Sequence, residues 1–163
     1  MSNFLFDRLF GCHEGETKAF LMFADGSQQS YSSFLRQAAR FANVIEQLGL
    51  VVGDRLAAQI EKSSEGLALY AACIQSGVIF LPLNTAYTPA EVSYFVGDSR
   101  AKLLVADQSF DLGDVAGEHG VILECLNGDG SGSFCDLAQN SSDQFVTVDR
   151  GPHDLAAFLY TSD

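Results

Sequence analysis

Short apolar runs alternate with longer stretches of helical periodicity along most of this 163-residue chain, and that alternation constrains its fold most. The runs lie at Asp54 to Ile60, Val78 to Leu81, Lys102 to Ala106 and Val121 to Leu123. Each is too short for a helix, and a continuous apolar run such as Val78-Ile79-Phe80-Leu81 marks a strand covered on both faces. Between the first two runs, Ser63-Ser64-Glu65 opens a helix with Leu67, Ala71 and Ile74 on one face and Gly77 as its stop. Between the next two, Thr88 supplies a cap and Pro89 a first-turn proline for a helix that fades near Gly97. Strands separated by helices in this way imply βαβ units. The expected class is α/β, a doubly wound, mainly parallel sheet with helices on both faces.

The first third of the chain adds two elements outside that pattern. Ala19 to Phe23 and Gln28 to Ser30 flank Ala24-Asp25-Gly26-Ser27, and Asp-Gly between short runs predicts a hairpin. Phe34, Ala38, Phe41, Ile45 and Leu48 then recur at steps of four and three, the apolar stripe of an amphipathic helix. Ser30 or Ser32 caps its start and Gly49 ends it. Near the other end, Leu155 to Leu159 reads as a short buried strand running into Thr161 and Ser162. Asn127-Gly128-Asp129-Gly130-Ser131-Gly132-Ser133 lacks both the carboxylate spacing of an EF-hand and a dinucleotide glycine pattern, so it reads as a surface connection. Asn140 to Asp143 reads the same way.

Charge and composition exclude several classes. A net charge of −12 repels nucleic acid and anionic membrane surfaces. No apolar run reaches the roughly 18–20 residues of a membrane span, and Met1 to Arg8 lacks the architecture of a secretory signal. A cytoplasmic setting follows as the expectation. Cys12, Cys73, Cys125 and Cys135 are scattered without paired metal spacing, so neither a zinc site nor a disulfide framework is expected, and Cys73 reads as a small core residue. His13, His119 and His153 read as surface residues in loops. Lys62, just after a strand, is read as a solvated helix-start residue rather than an anion clamp, and Asp54 and Arg55 as a local turn or ion pair.

Several motifs together carry a family resemblance. Tyr160-Thr161-Ser162 after an apolar run resembles the opening of the phosphate loop of the acyl-adenylate-forming, AMP-binding ligases, although Asp163 stands where that family has glycine. Gly53-Asp54-Arg55-Leu56-Ala57 resembles its helix-to-strand junction, and Gly77-Val78-Ile79-Phe80-Leu81-Pro82-Leu83-Asn84 its next strand. Glu61-Lys62-Ser63, Leu83 to Thr88 and Tyr94 to Asp98 are most similar to the malonyl-CoA synthetase branch. The similarity runs from Phe4 to Ser162.

The resemblance implies a two-step reaction in which a carboxylate, here malonate, attacks the α-phosphate of ATP and the thiol of CoA then displaces AMP. Mg²⁺ would neutralise phosphate charge in the intact enzyme. Carried over residue by residue, only Thr161 and Ser162 match groups that would touch ATP phosphates; no catalytic or metal-binding residue is matched. Residues 1–163 are therefore expected to be the N-terminal part of an AMP-dependent ligase domain, cut at the start of the phosphate loop. Alone they would bind no cofactor, catalyse nothing, and tend to self-associate or aggregate through apolar surface that the rest of a ligase would cover. Three other readings stay open: an interaction module pairing with a full-length ligase, a ligase of another short or medium-chain acid, and a free-standing flavodoxin-like domain.

Overall fold

The computed structural model describes residues 2–161. Its elements, in chain order, are α1 (Phe4–Leu9), β1 (Ala19–Met22), β2 (Gln28–Ser30), α2 (Tyr31–Gln47), β3 (Arg55–Gln59), α3 (Ser64–Ser76), β4 (Ile79–Pro82), α4 (Pro89–Ser99), β5 (Leu103–Ala106), α5 (Gly113–His119), β6 (Ile122–Cys125) and α6 (Ser133–Gln139). β1 and β2 form the expected antiparallel hairpin. The other four strands form one parallel sheet in the order β4-β3-β5-β6, which confirms the doubly wound α/β class. The chain steps from β3 outward to β4, then crosses back over β3 to β5, so the winding reverses between β3 and β5.

Two-residue periodicity divides the sheet's side chains between two cores. Leu56, Ala58, Leu103 and Val105 pack against one face with Phe34 and Phe41 of α2, Leu69 and Cys73 of α3, and Phe134 of α6. Ala57, Leu81, Leu104 and Ala106 face the other side, where Val92 and Val96 of α4 and Val115 of α5 cover them. Both faces of the inner strands β3 and β5 are therefore dry, which is why those strands carry no alternating polar positions. Phe34, Phe41 and Phe134 are fully buried, and each stabilises the fold by about 1.5–3 kcal/mol through area removed from water. Phe41 and Phe134 meet edge to face at 4.9 Å, so α6 is fastened to α2 by an aromatic pair.

The helix ends follow from local chemistry. Of the two serines that suit the start of α2, Ser30 is the cap, its side chain accepting from the Ser33 N–H. Ser63 caps α3, and Gly77 closes that helix in the left-handed conformation at φ 74°. Thr88 and Glu91 form a reciprocal capping box with Pro89 in the first turn of α4. That helix outlasts the expected end at Gly97, reaching Ser99 before Arg100 turns left-handed at φ 54°. Gly97 is tolerated there because the His119 ring packs over it: a Cβ at 97 would meet His119 Cε1 at 2.9 Å.

Four further features differ from the sequence expectation. Helices α1, α5 and α6 were not foreseen, being only six or seven residues long. α1 is held largely by Asn3, which caps Phe6 and donates from Nδ2 to the carbonyls of Ile74 and Val148 at 2.9 and 3.0 Å. The fourth is the stretch at Leu155 to Leu159, which is not a buried strand. It touches the outer edge of β4 through a single parallel bridge, Phe80 to Ala157, and Leu155 and Leu159 are exposed. With a sheet neighbour on one side only, an apolar run lacks the second contact that would bury it.

Candidate functional site

In an open parallel sheet, ligands meet the crevice outside the carboxyl ends of the strands where the winding reverses. Here that place lies between the ends of β3 and β5, and four connections surround it. Ile60 to Ser63 leave toward α3 and Asp107 to Leu112 toward α5, on opposite faces. Asn84 to Thr88 enter α4, and Leu126 to Gly132 enter α6.

Asp107 organises one side. Its carboxylate accepts from the Ser109 N–H at 2.9 Å and the Gly128 N–H at 3.0 Å. These bonds, the one from Ser109 foremost, hold its carboxyl below the ordinary aspartate range. Asn127 answers by accepting from the Gln108 N–H at 3.0 Å. The glycine-rich stretch is thereby drawn back over the strand ends. A Cβ on Gly128 would touch Glu61, and one on Gly130 would lie 2.8 Å from the Glu65 carboxylate. The stretch is a connection, as its spacing suggested, but one laid against the start of α3. Asp129 within it is also held below its usual range, by the Ser131 hydroxyl and then its N–H.

The cation supply is sparse. Lys62 stands exposed on the rim of a groove of about 370 Å³ formed with Ile60, Leu67, Tyr70 and Phe80. Among the described residues it makes no ion pair, which suits the solvated reading. Tyr70 and Phe80 meet edge to face at 5.4 Å, and burial raises the Tyr70 phenol above its ordinary value. The groove floor is therefore apolar. With Glu61, Glu65, Asp107 and Asp129 on the connections at the strand ends and Lys62 turned to solvent, these residues alone do not make a phosphate site.

The remaining expected groups fall elsewhere. Thr161 is exposed, and Ser162 lies outside the described residues. Tyr160, just before them, donates to the Asp98 carboxylate at 2.7 Å and packs on Phe95 at 4.3 Å, so this stretch runs beside α4. Burial and then Asp98 push the Tyr160 phenol up to about 12. Thr161 thus follows the α4 side of the sheet while Lys62 sits on the α3 side, and the two are not brought together. Asp54 and Arg55 are structural, as expected. Asp54 accepts from the Val51 N–H and pairs with Lys102 at 3.0 Å, while Arg55 donates to the Ser99 and Gly53 carbonyls. His13 and His119 are more engaged than loop residues. His13 stacks on Tyr31 at 4.1 Å, and His119 bonds the Ser93 hydroxyl at 2.8 Å.

One crevice residue carried no functional reading in the sequence. Gln59, the last residue of β3, is fully buried, with its amide turned to the Asn84 to Tyr87 connection. The signal was a glutamine inside an otherwise apolar run.

Comparison with known proteins fits this geometry. Residues 12–162 match the model of the family described as AMP-binding enzyme. Apo MatB from Rhodopseudomonas palustris superposes with a TM-score of 0.93 at 44% identity, over 100% of this chain and 33% of that one. An ATP-bound structure of the same protein gives 0.93 over 99% of this chain. Among curated relatives, a fatty acid–[acyl-carrier-protein] ligase, ScoC of Streptomyces coeruleorubidus, is 32% identical over 60% of this chain and 18% of its own. The mouse mitochondrial acyl-coenzyme A synthetase ACSM1 is 27% identical over 85% of this chain and 26% of its own. The chain spans about a third of the length of the MatB structures it matches and less of these curated relatives. With the family model matching nearly its whole length, the chain belongs to the AMP-binding enzyme family.

Proposed function

We propose that this chain supplies the N-terminal part of an ATP-dependent acid–CoA ligase, and that the acid is malonate. The observation that carries the reading is the 44% identity to Rhodopseudomonas palustris MatB, sustained over the whole chain at a TM-score of 0.93. A benzoate CoA ligase and an anthranilate CoA ligase share the fold at 21% and 20% identity. The framework stretches Glu61 to Ser63, Leu83 to Thr88 and Tyr94 to Asp98 point the same way. In this reading ATP, Mg²⁺ and CoA are the partners of the assembled enzyme, Thr161 and Ser162 open its phosphate loop, and its setting is cytoplasmic. No helix among the described residues is long and apolar enough to cross a membrane.

The part played by the chain is that of a scaffold. Among the described residues its strand ends offer carboxylates and one solvated lysine, a poor set for stabilising transferring phosphate. The purified chain is expected to release no pyrophosphate from ATP, Mg²⁺ and malonate. The substrate reading is tested by a chimera in which this chain replaces the matching third of Rhodopseudomonas palustris MatB. The chimera is expected to form malonyl-CoA in preference to other acyl-CoAs. A folded chimera that activates other acids and leaves malonate untouched removes the malonate assignment.

A further inference from the structure

Gln59 occupies the carboxyl end of the inner strand β3 and is sealed from solvent. Its Nε2 donates to the carbonyl oxygens of Asn84 and Tyr87, both at 3.0 Å. Both partners are main-chain acceptors, which fixes which end of the amide points where. The two carbonyls bracket the connection from β4 to α4, so one side chain grips both its ends. Its Oε1 meets no partner among the described residues. The amide is thus committed to the connection through both donors of its Nε2.

The connection's own bonds complete the arrangement. Asn84 Oδ1 accepts from the Ala86 N–H at 2.9 Å, and the Tyr87 N–H donates back to the Asn84 carbonyl at 3.0 Å. Immediately afterwards Thr88 and Glu91 begin α4 with their capping box. The bend is therefore braced from beneath by β3, fixed within itself, and tied down at its far end. An apolar residue of glutamine's size would remove both bonds of the brace while keeping the volume filled.

We propose that Gln59 is a positioning residue, holding the Asn84 to Thr88 lip of the crevice in one preformed shape. A lip already in place spares whatever enters the crevice the cost of ordering it. The inference goes beyond the ligase reading and is measured without any ligand, so either can fail while the other stands.

The test is nuclear magnetic resonance on the isotopically labelled 163-residue chain. Scalar couplings through the hydrogen bonds are expected from Gln59 Nε2 to the carbonyl carbons of Asn84 and Tyr87. In Gln59→Met, hydrogen exchange at the Ala86 and Tyr87 amides is expected to accelerate at least about tenfold more than at Leu104 and Val105. Equal acceleration at all four amides means a uniformly weakened fold and overturns the proposal. Absence of the couplings in the unmodified chain overturns it as well, and decides the matter if the variant does not fold.

Discussion

Gly132 shows how little freedom a single position in this fold can have. It enters α6 at φ 124° and ψ 169°, where a side chain is strongly disfavoured, and a Cβ there would run into the Cys125 carbonyl. Gly132→Ala is expected to cost about 1–3 kcal/mol from conformation alone, read from the midpoint of denaturant unfolding. The cysteines divide as sharply. Cys12 is exposed, whereas Cys73 is buried with its thiol pushed far up, and Cys135 is pushed up to about 11, burial being the first cause in both. A thiol reagent added to the folded chain should label Cys12 quickly and leave Cys73 unmodified until the chain unfolds. Asp107 and Asp129 set a pH dependence of known sign. Their carboxyls titrate lower in the folded chain than in the unfolded one. The stability they contribute is complete above the ordinary carboxylate range and is lost as pH falls through the folded values. Acid titration of Asp107→Asn should show a shallower loss than the unmodified chain.

Elements were legible in proportion to the strength of their local signals. Strands β3, β4 and β5 announced themselves because burial on both faces demands continuous apolar residues. Helices α2, α3 and α4 did so through stripes and caps. Thr88→Ala removes the capping box that begins α4 and is expected to cost about 1 kcal/mol, measured as a shift in the unfolding midpoint. α6 was invisible for a physical reason. Its seven residues carry one large anchor, Phe134, whose partner Phe41 lies far back in the sequence, so its stability is tertiary rather than local. Phe134→Ala should therefore cost about 3–5 kcal/mol, and far-ultraviolet circular dichroism at moderate denaturant should show helix lost early. The crevice was half legible. The motifs placed the strand ends and the glycine-rich connection, but the grip of Gln59 on Asn84 and Tyr87 joins residues that no local pattern relates.

The whole molecule is a sheet wound in two directions, and that topology dictates an order of events. Leu56 of β3 pairs with Phe80 of β4 across one helix, but its other neighbour, Leu103 of β5, arrives only after a second crossover. No hairpin can seed this sheet, because every pairing within it is parallel. The chain must close the largest loop within the sheet to seat β5 in the middle, and that search is entropically slow. Refolding should consequently be rate-limited by the union of β3 and β5. Substitutions at Leu56 or Leu104 would slow the forward rate, whereas those in α6, which lies outside the β3–β5 pairing, would chiefly hasten unfolding. For a newly made polypeptide, the interval before that union leaves the facing edges of β3 and β5 uncovered, and it is then that a chaperone would find the most to hold.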